Sequence, residues 1–138
     1  MARRRYCNNA GNIRSRGKRI VKKACYDPCI IAKVHDVAKK YQRILVCLDS
    51  MHTHDHVLAE LNAYGSLVST GSYCVVFDTI IEDMPENMFP DRPWGPGNNP
   101  KTAVWEYLKT HPEFEMDRDI QHKLLITVAP DGYLKKIA

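Results

Sequence analysis

The 138-residue chain lacks any apolar run near the ~18 residues that a membrane span requires, and no apolar stretch follows its N-terminal arginines to form a signal peptide. Neither a membrane protein nor an exported one is expected. The composition of a disordered chain is also missing, because 44% of the residues are apolar and only 26% charged. Such a length allows one small domain. The five cysteines (Cys7, Cys25, Cys29, Cys47 and Cys74) offer one C-x3-C spacing, at Cys25 and Cys29, with no second pair to complete a zinc site. All five are expected as reduced thiols in a cytoplasmic protein, with Cys47 and Cys74 acting as small hydrophobes inside apolar runs. The most informative absence is of acid at the front. Nine of the 20 bases and none of the 16 acids precede Ala24, so the remainder is net acidic although the whole chain carries +4.

The basic segment shows no hydrophobic period, and Asn8-Asn9, Gly11-Asn12 and Ser15-Arg16-Gly17 read as solvated coil. Clustered Lys and Arg could neutralise phosphates as a nucleic-acid arm. A charged tail without a partner is the favoured reading, so nucleic acid is not the expected ligand. Residues 1–26 are thus set apart from an ordered region over 27–138.

Order begins at Asp27-Pro28, a helix cap followed by proline at the first helical position. Ile30, Ile31, Val34, Val37, Ala38 and Tyr41 then recur at helical spacing. Ile44–Leu48 is a short continuous apolar run ending in Asp49. A second helix follows from Thr53 or Asp55, with Val57, Leu58, Leu61, Tyr64 and Val68 facing inward. Tyr73–Phe77 is another such run, ending in Asp78. Alternating helices and doubly buried strands predict an α/β fold with a parallel sheet. Thr79–Asn99 has no period and is punctuated by four prolines and two glycines, as a binding loop or lid would be. Asn99-Pro100 opens a further helix with Val104, Trp105 and Leu108 inward. Two closing strands, Glu113–Ile120 and Lys123–Val128, are expected as an antiparallel hairpin turning near Gln121-His122.

In parallel sheets ligands sit beyond the carboxyl ends of the strands, which is where Asp49 and Asp78 fall. Neighbouring strands lie ~4.8 Å apart, so the two carboxylates can converge on one cation, and open positions with oxygen ligands suit Mg²⁺. Glu82 is a candidate third ligand. The bland alternative is that these acids cap the following segments or are solvated. His52, in the turn three residues after Asp49, can face a ligand. The run His52-Thr-His54-Asp55-His56 fails the H-x-H-x-D-H zinc register because His54 and Asp55 are adjacent, and His54 and His56 read as a polar first helical turn.

Four stretches in order carry a family likeness: Leu48-Asp-Ser-Met-His-Thr-His-Asp-His-Val-Leu-Ala-Glu-Leu, Gly71-Ser-Tyr-Cys-Val-Val-Phe-Asp-Thr-Ile-Ile-Glu-Asp, Trp94-Gly-Pro-Gly-Asn-Asn-Pro and Leu124-Leu-Ile-Thr-Val-Ala-Pro-Asp-Gly-Tyr-Leu. Over roughly Asp27–Ile137 the chain resembles the cephalosporin hydroxylase family, which also contains rhamnosyl O-methyltransferases. The resemblance implies the class I S-adenosylmethionine-dependent methyltransferase fold, a seven-stranded Rossmann-like sheet. The two parallel strands would be its fourth and fifth and the hairpin its sixth and seventh. It further implies Mg²⁺ beside the cofactor on acids matching Asp49 and Asp78, although Phe77 stands where the family pattern can carry a glutamate. The ion would hold a substrate hydroxyl, and His52 would act as the general base in methyl transfer to a sugar or other small molecule.

A glycine-rich turn after the first strand and an acid after the second would build the cofactor site, and nothing before Asp27 supplies either. The expectation is therefore the C-terminal half of the sheet with the N-terminal half missing, residues 1–23 being out-of-frame sequence in a truncated copy. Such a chain alone would be inactive or weakly active. Its Ile44–Leu48 strand would form an exposed apolar edge, open to pairing with another copy or an assembly partner.

Overall fold

The computed structural model describes residues 26–138. The basic segment, Cys7, Cys25 and the nucleic-acid and out-of-frame readings attached to residues 1–23 lie outside them. Among the described residues no helix is long and apolar enough to cross a membrane.

Helix α1 spans Pro28–Ala38, capped by Asp27, whose carboxylate accepts from the Cys29 amide at 2.8 Å. Strand β1 is Val46–Leu48, α2 is His54–Tyr64 with Thr53 at its cap position, and β2 is Tyr73–Val76. A 3-10 turn covers Thr79–Asp83. Helix α3 (Pro100–Leu108) starts with a full capping box, Asn99 receiving the amides of Lys101 and Thr102 while Thr102 Oγ1 accepts from the Asn99 amide. Strand β3 (Phe114–Met116), α4 (Arg118–Leu124) and β4 (Tyr133–Lys136) complete the chain.

The four strands form one sheet in the order β1-β2-β4-β3. β1 and β2 are parallel, with Leu48 level with Val76, whereas β4 runs antiparallel to both of its neighbours. The fold is thus α/β with two parallel strands followed by an antiparallel pair. In the strand numbering of the methyltransferase sheet, its order is four-five-seven-six.

The core lies between the sheet and the α2–α3 pair: Leu48, Val57, Leu61, Tyr64, Cys74, Val76, Ala103, Val104, Tyr107, Phe114 and Leu134 are all buried. Burial pushes the Cys74 thiol up to about 12, so it serves as packing. No residue of α1 is fully buried, and Leu45, beside the outer strand β1, is 55% exposed.

Three expectations are corrected. The antiparallel pair is not a hairpin turning at Gln121-His122, because those residues belong to α4, started by Asp117 accepting the Asp119 amide. The apolar run Leu124–Val128 is no strand, and Leu125 and Ile126 are 88% and 91% exposed. The sheet position goes to 133–136 instead, because Gly132 lets the backbone press against the Val76 carbonyl where any Cβ would clash, and its own carbonyl accepts the Val76 amide at 2.8 Å. Trp105 does not face inward: α3 buries Ala103, Val104 and Tyr107, leaving Trp105 on the flank, 43% exposed, with Lys101 Nζ 5.9 Å from its ring centroid. Finally, Cys29 is disulfide-bonded, so the reading of five reduced thiols fails there; Cys47 and Cys74 are free, and only Cys74 is packed as a small hydrophobe, Cys47 being exposed.

Candidate functional site

Parallel pairing brings the carboxyl ends of β1 and β2 level, and the Phe77 amide extends the ladder by donating to the Leu48 carbonyl at 3.0 Å. Asp49 follows β1 directly. Asp78 follows β2 by two residues in the left-handed region (φ 56°, ψ 24°), which aspartate tolerates better than most residues. That reversal turns the chain from strand into the 3-10 segment, where Thr79 Oγ1 donates to the Pro130 carbonyl at 2.6 Å. Between Asp49 and α2, the turn carries His52 back over the strand ends. One ligand atom each from Asp49, His52 and Asp78 then lies within 4.8 Å of the others, with His52 Nε2 3.3 Å from Asp78 Oδ2.

Both ends of the His52 turn are pinned. Ser50 donates to the buried Glu60 carboxylate at 2.9 Å and hydrogen-bonds His56 Nε2 at 2.8 Å. His54 donates its amide to Asn98 Oδ1 at 3.0 Å, and its ring reaches Thr102 Oγ1 at 2.8 Å and Glu106 at 3.2 Å. His54 and His56 are thereby engaged away from the cluster, as expected of a polar first turn. Glu82 is not brought to the cluster either. Its carboxylate accepts from the Gly97 amide at 2.8 Å and from the Asn99 side chain, clamping the loop ahead of α3.

The donor set is chemically suited to a divalent cation. In an octahedral site with bonds of about 2.1 Å, adjacent ligands stand about 3 Å apart and opposite ones about 4.2 Å; the 3.3 Å from His52 to Asp78 falls in that range, and all three groups offer an atom within 4.8 Å of the others. The two carboxylates would leave positions for water or substrate oxygens, with His52 beside them. Carboxylate oxygens also accept Mn²⁺.

Two contributors escaped sequence reasoning. Glu60 sits one turn beyond His56 at an inward helical position beside Val57, Leu61 and Tyr64, and an acid on an apolar face was the signal that could have found it. Trp94 packs edge-on against the His52 ring, centroids 5.4 Å apart, from a loop whose sequence has no period to read.

The sequence pattern of the Rhamnosyl O-methyltransferase/CmcI family matches residues 7–137, so the match begins inside the basic segment. Proteins named rhamnosyl O-methyltransferase from Mycobacterium bovis (strain BCG / Pasteur 1173P2) and Mycobacterium tuberculosis (strain ATCC 25618 / H37Rv) are each 34% identical to this chain over 116 residues. The aligned region is 83% of this chain and 45% of either relative, so the chain spans about half the length of the curated relatives it matches. No solved structure gives a significant match. With the family pattern covering nearly the whole sequence and the acids at both parallel strand ends in place, the chain belongs to the rhamnosyl O-methyltransferase/CmcI family, the cephalosporin hydroxylase family of the sequence resemblance.

Proposed function

We propose that this chain carries the cation- and acceptor-binding part of an S-adenosylmethionine-dependent O-methyltransferase acting on a hydroxyl of a sugar or similar small molecule. The observation that carries the reading is the convergence of Asp49, His52 and Asp78 at the ends of two parallel strands. The name of the mycobacterial relatives, rhamnosyl O-methyltransferase, supports the reaction and the sugar acceptor. Asp49 and Asp78 would hold Mg²⁺ or Mn²⁺. The ion supplies positive charge that lowers the pKa of an acceptor hydroxyl beside it. His52, held by Asp78 at 3.3 Å and by the Trp94 ring, takes the proton from that hydroxyl as general base.

S-adenosylmethionine is the methyl donor the fold resemblance implies. The described residues do not by themselves form its site: none of their five glycines (Gly65, Gly71, Gly95, Gly97 and Gly132) lies in a strand-to-helix turn of the kind that admits a cofactor close to the backbone.

Titration of the purified chain with Mn²⁺, followed by electron paramagnetic resonance, tests the site. One ion is expected to bind, Asp49→Asn and Asp78→Asn each weakening it by about tenfold or more. His52→Gln should weaken it by less than about threefold, since its role is proton acceptance. A chain that binds no Mn²⁺ at millimolar concentration, or aspartate variants that bind it as well, would overturn the reading.

A second reading, an assembly partner that completes its sheet with another chain, is favoured by one observation. β1 is the outer strand of the sheet and is flanked by the exposed Leu45 and by α1, which buries no residue completely.

A further inference from the structure

The loop 85–99 is anchored more heavily than a connector needs to be. Gly95 and Asn98 exchange backbone hydrogen bonds at 3.1 and 3.0 Å, and the Asn98 side chain donates to the Pro93 carbonyl at 2.9 Å. Fully buried Asn99 donates to the Gly95 carbonyl at 2.9 Å and to Glu82, which also receives the Gly97 amide. What these bonds hold still is Trp94. Its indole meets the His52 ring edge-on, Phe89 lies tilted against it with centroids 5.0 Å apart, and the Arg92 guanidinium stands 5.8 Å from its centroid. Trp94 keeps part of its surface open and Phe89 is 38% exposed, so an aromatic surface is presented to solvent beside the Asp49–His52–Asp78 cluster.

A rigid aromatic wall beside a polar cluster is the arrangement that recognises a ring with one apolar face and several hydroxyls: the C–H face packs on the aromatic while the hydroxyls reach the polar groups. We propose that Trp94, with Phe89, is the acceptor platform of this protein, taking the apolar face of a sugar ring and directing one ring hydroxyl to His52. The proposal rests on the acceptor being a sugar and adds the residues that select it. Anchoring by Glu82, Asn98 and Asn99 removes the ordering cost that a mobile loop would incur on binding. Glu82, the candidate third metal ligand, thereby positions the platform instead.

Methyl α-L-rhamnopyranoside, titrated into the purified chain with Mg²⁺ present and observed by saturation-transfer NMR, tests this. Mn²⁺ binding is measured separately on every variant, and circular dichroism reports folding. Trp94→Ala is expected to weaken glycoside binding about tenfold, Trp94→Phe less than about threefold, and Phe89→Ala by an intermediate factor, all with unchanged Mn²⁺ affinity. A wild-type chain that binds no glycoside, or a folded Trp94→Ala chain that binds it as well as wild type, would overturn the platform. Loss of Mn²⁺ binding with Trp94-dependent glycoside binding retained strikes the cation reading alone and supports the platform.

Discussion

At the residue scale, two backbone positions decide where the chemistry sits. Asp78 accepts a left-handed conformation at the end of β2, and in doing so turns its carboxylate toward His52. Gly132 admits β4 beside β2, since a side chain there would strike the Val76 carbonyl. Gly132→Ala should therefore destabilise the protein by about 1–3 kcal/mol, the range for forced overpacking, as measured by urea denaturation. An unchanged midpoint would show that the β2–β4 contact can relax. The strand-end acids were legible because a charge that closes a continuous apolar run marks where the chain leaves the sheet. Glu82 was not, because its true partners, the Gly97 amide and the Asn99 side chain, lie 15 and 17 positions away in a loop with no period.

At the scale of elements, local signals were good where a cap or helical period exists. Asp27-Pro28 and Asn99-Pro100 start α1 and α3 as their chemistry dictates, because a capping side chain satisfies amides of its own first turn. Leu124–Val128 misled because its composition suits a strand as well as an exposed connection, and only competition for a place in the sheet separates the two. The winning arrangement is tied together by Tyr73, which begins β2 and donates to Asp117 Oδ2 at 2.7 Å. Asp117 also caps α4. The Tyr73 hydroxyl holds the Asp117 carboxyl below its usual value, and the same bond raises the Tyr73 phenol. A carboxylate depressed in the folded state adds stability above its unfolded pKa and loses it as pH falls through the folded one. A phenol raised in the folded state adds stability below its unfolded pKa and loses it as pH rises toward the folded one. Tyr73→Phe should thus lower the melting temperature at neutral pH, and the gap to wild type should narrow at both extremes. A gap independent of pH would mean that the bond contributes nothing beyond packing.

At the scale of the whole molecule, the sheet has two edges among the described residues, β3 at one side and β1 at the other, and β1 has Leu45 exposed beside it. Unpaired edge groups beside apolar side chains favour pairing with another strand, and a lysine there opposes it. Size-exclusion chromatography with light scattering should find the chain larger than its 15.8 kDa monomer, and Leu45→Lys should shift it toward monomer. A wild-type monomer at all concentrations would dismiss sheet completion by a second copy.

Sequence by itself determined the α/β class, the helix starts, the two parallel strands and the acids that close them, because each rests on chemistry within a few residues. It also carried the family, through motifs kept in order along the chain. Tertiary structure alone decided which segment fills the antiparallel position, that Glu82 leaves the aspartates, and that Trp94 stands beside the site. Those outcomes depend on competition for space and hydrogen-bond partners between segments far apart in sequence, and no local pattern records who wins.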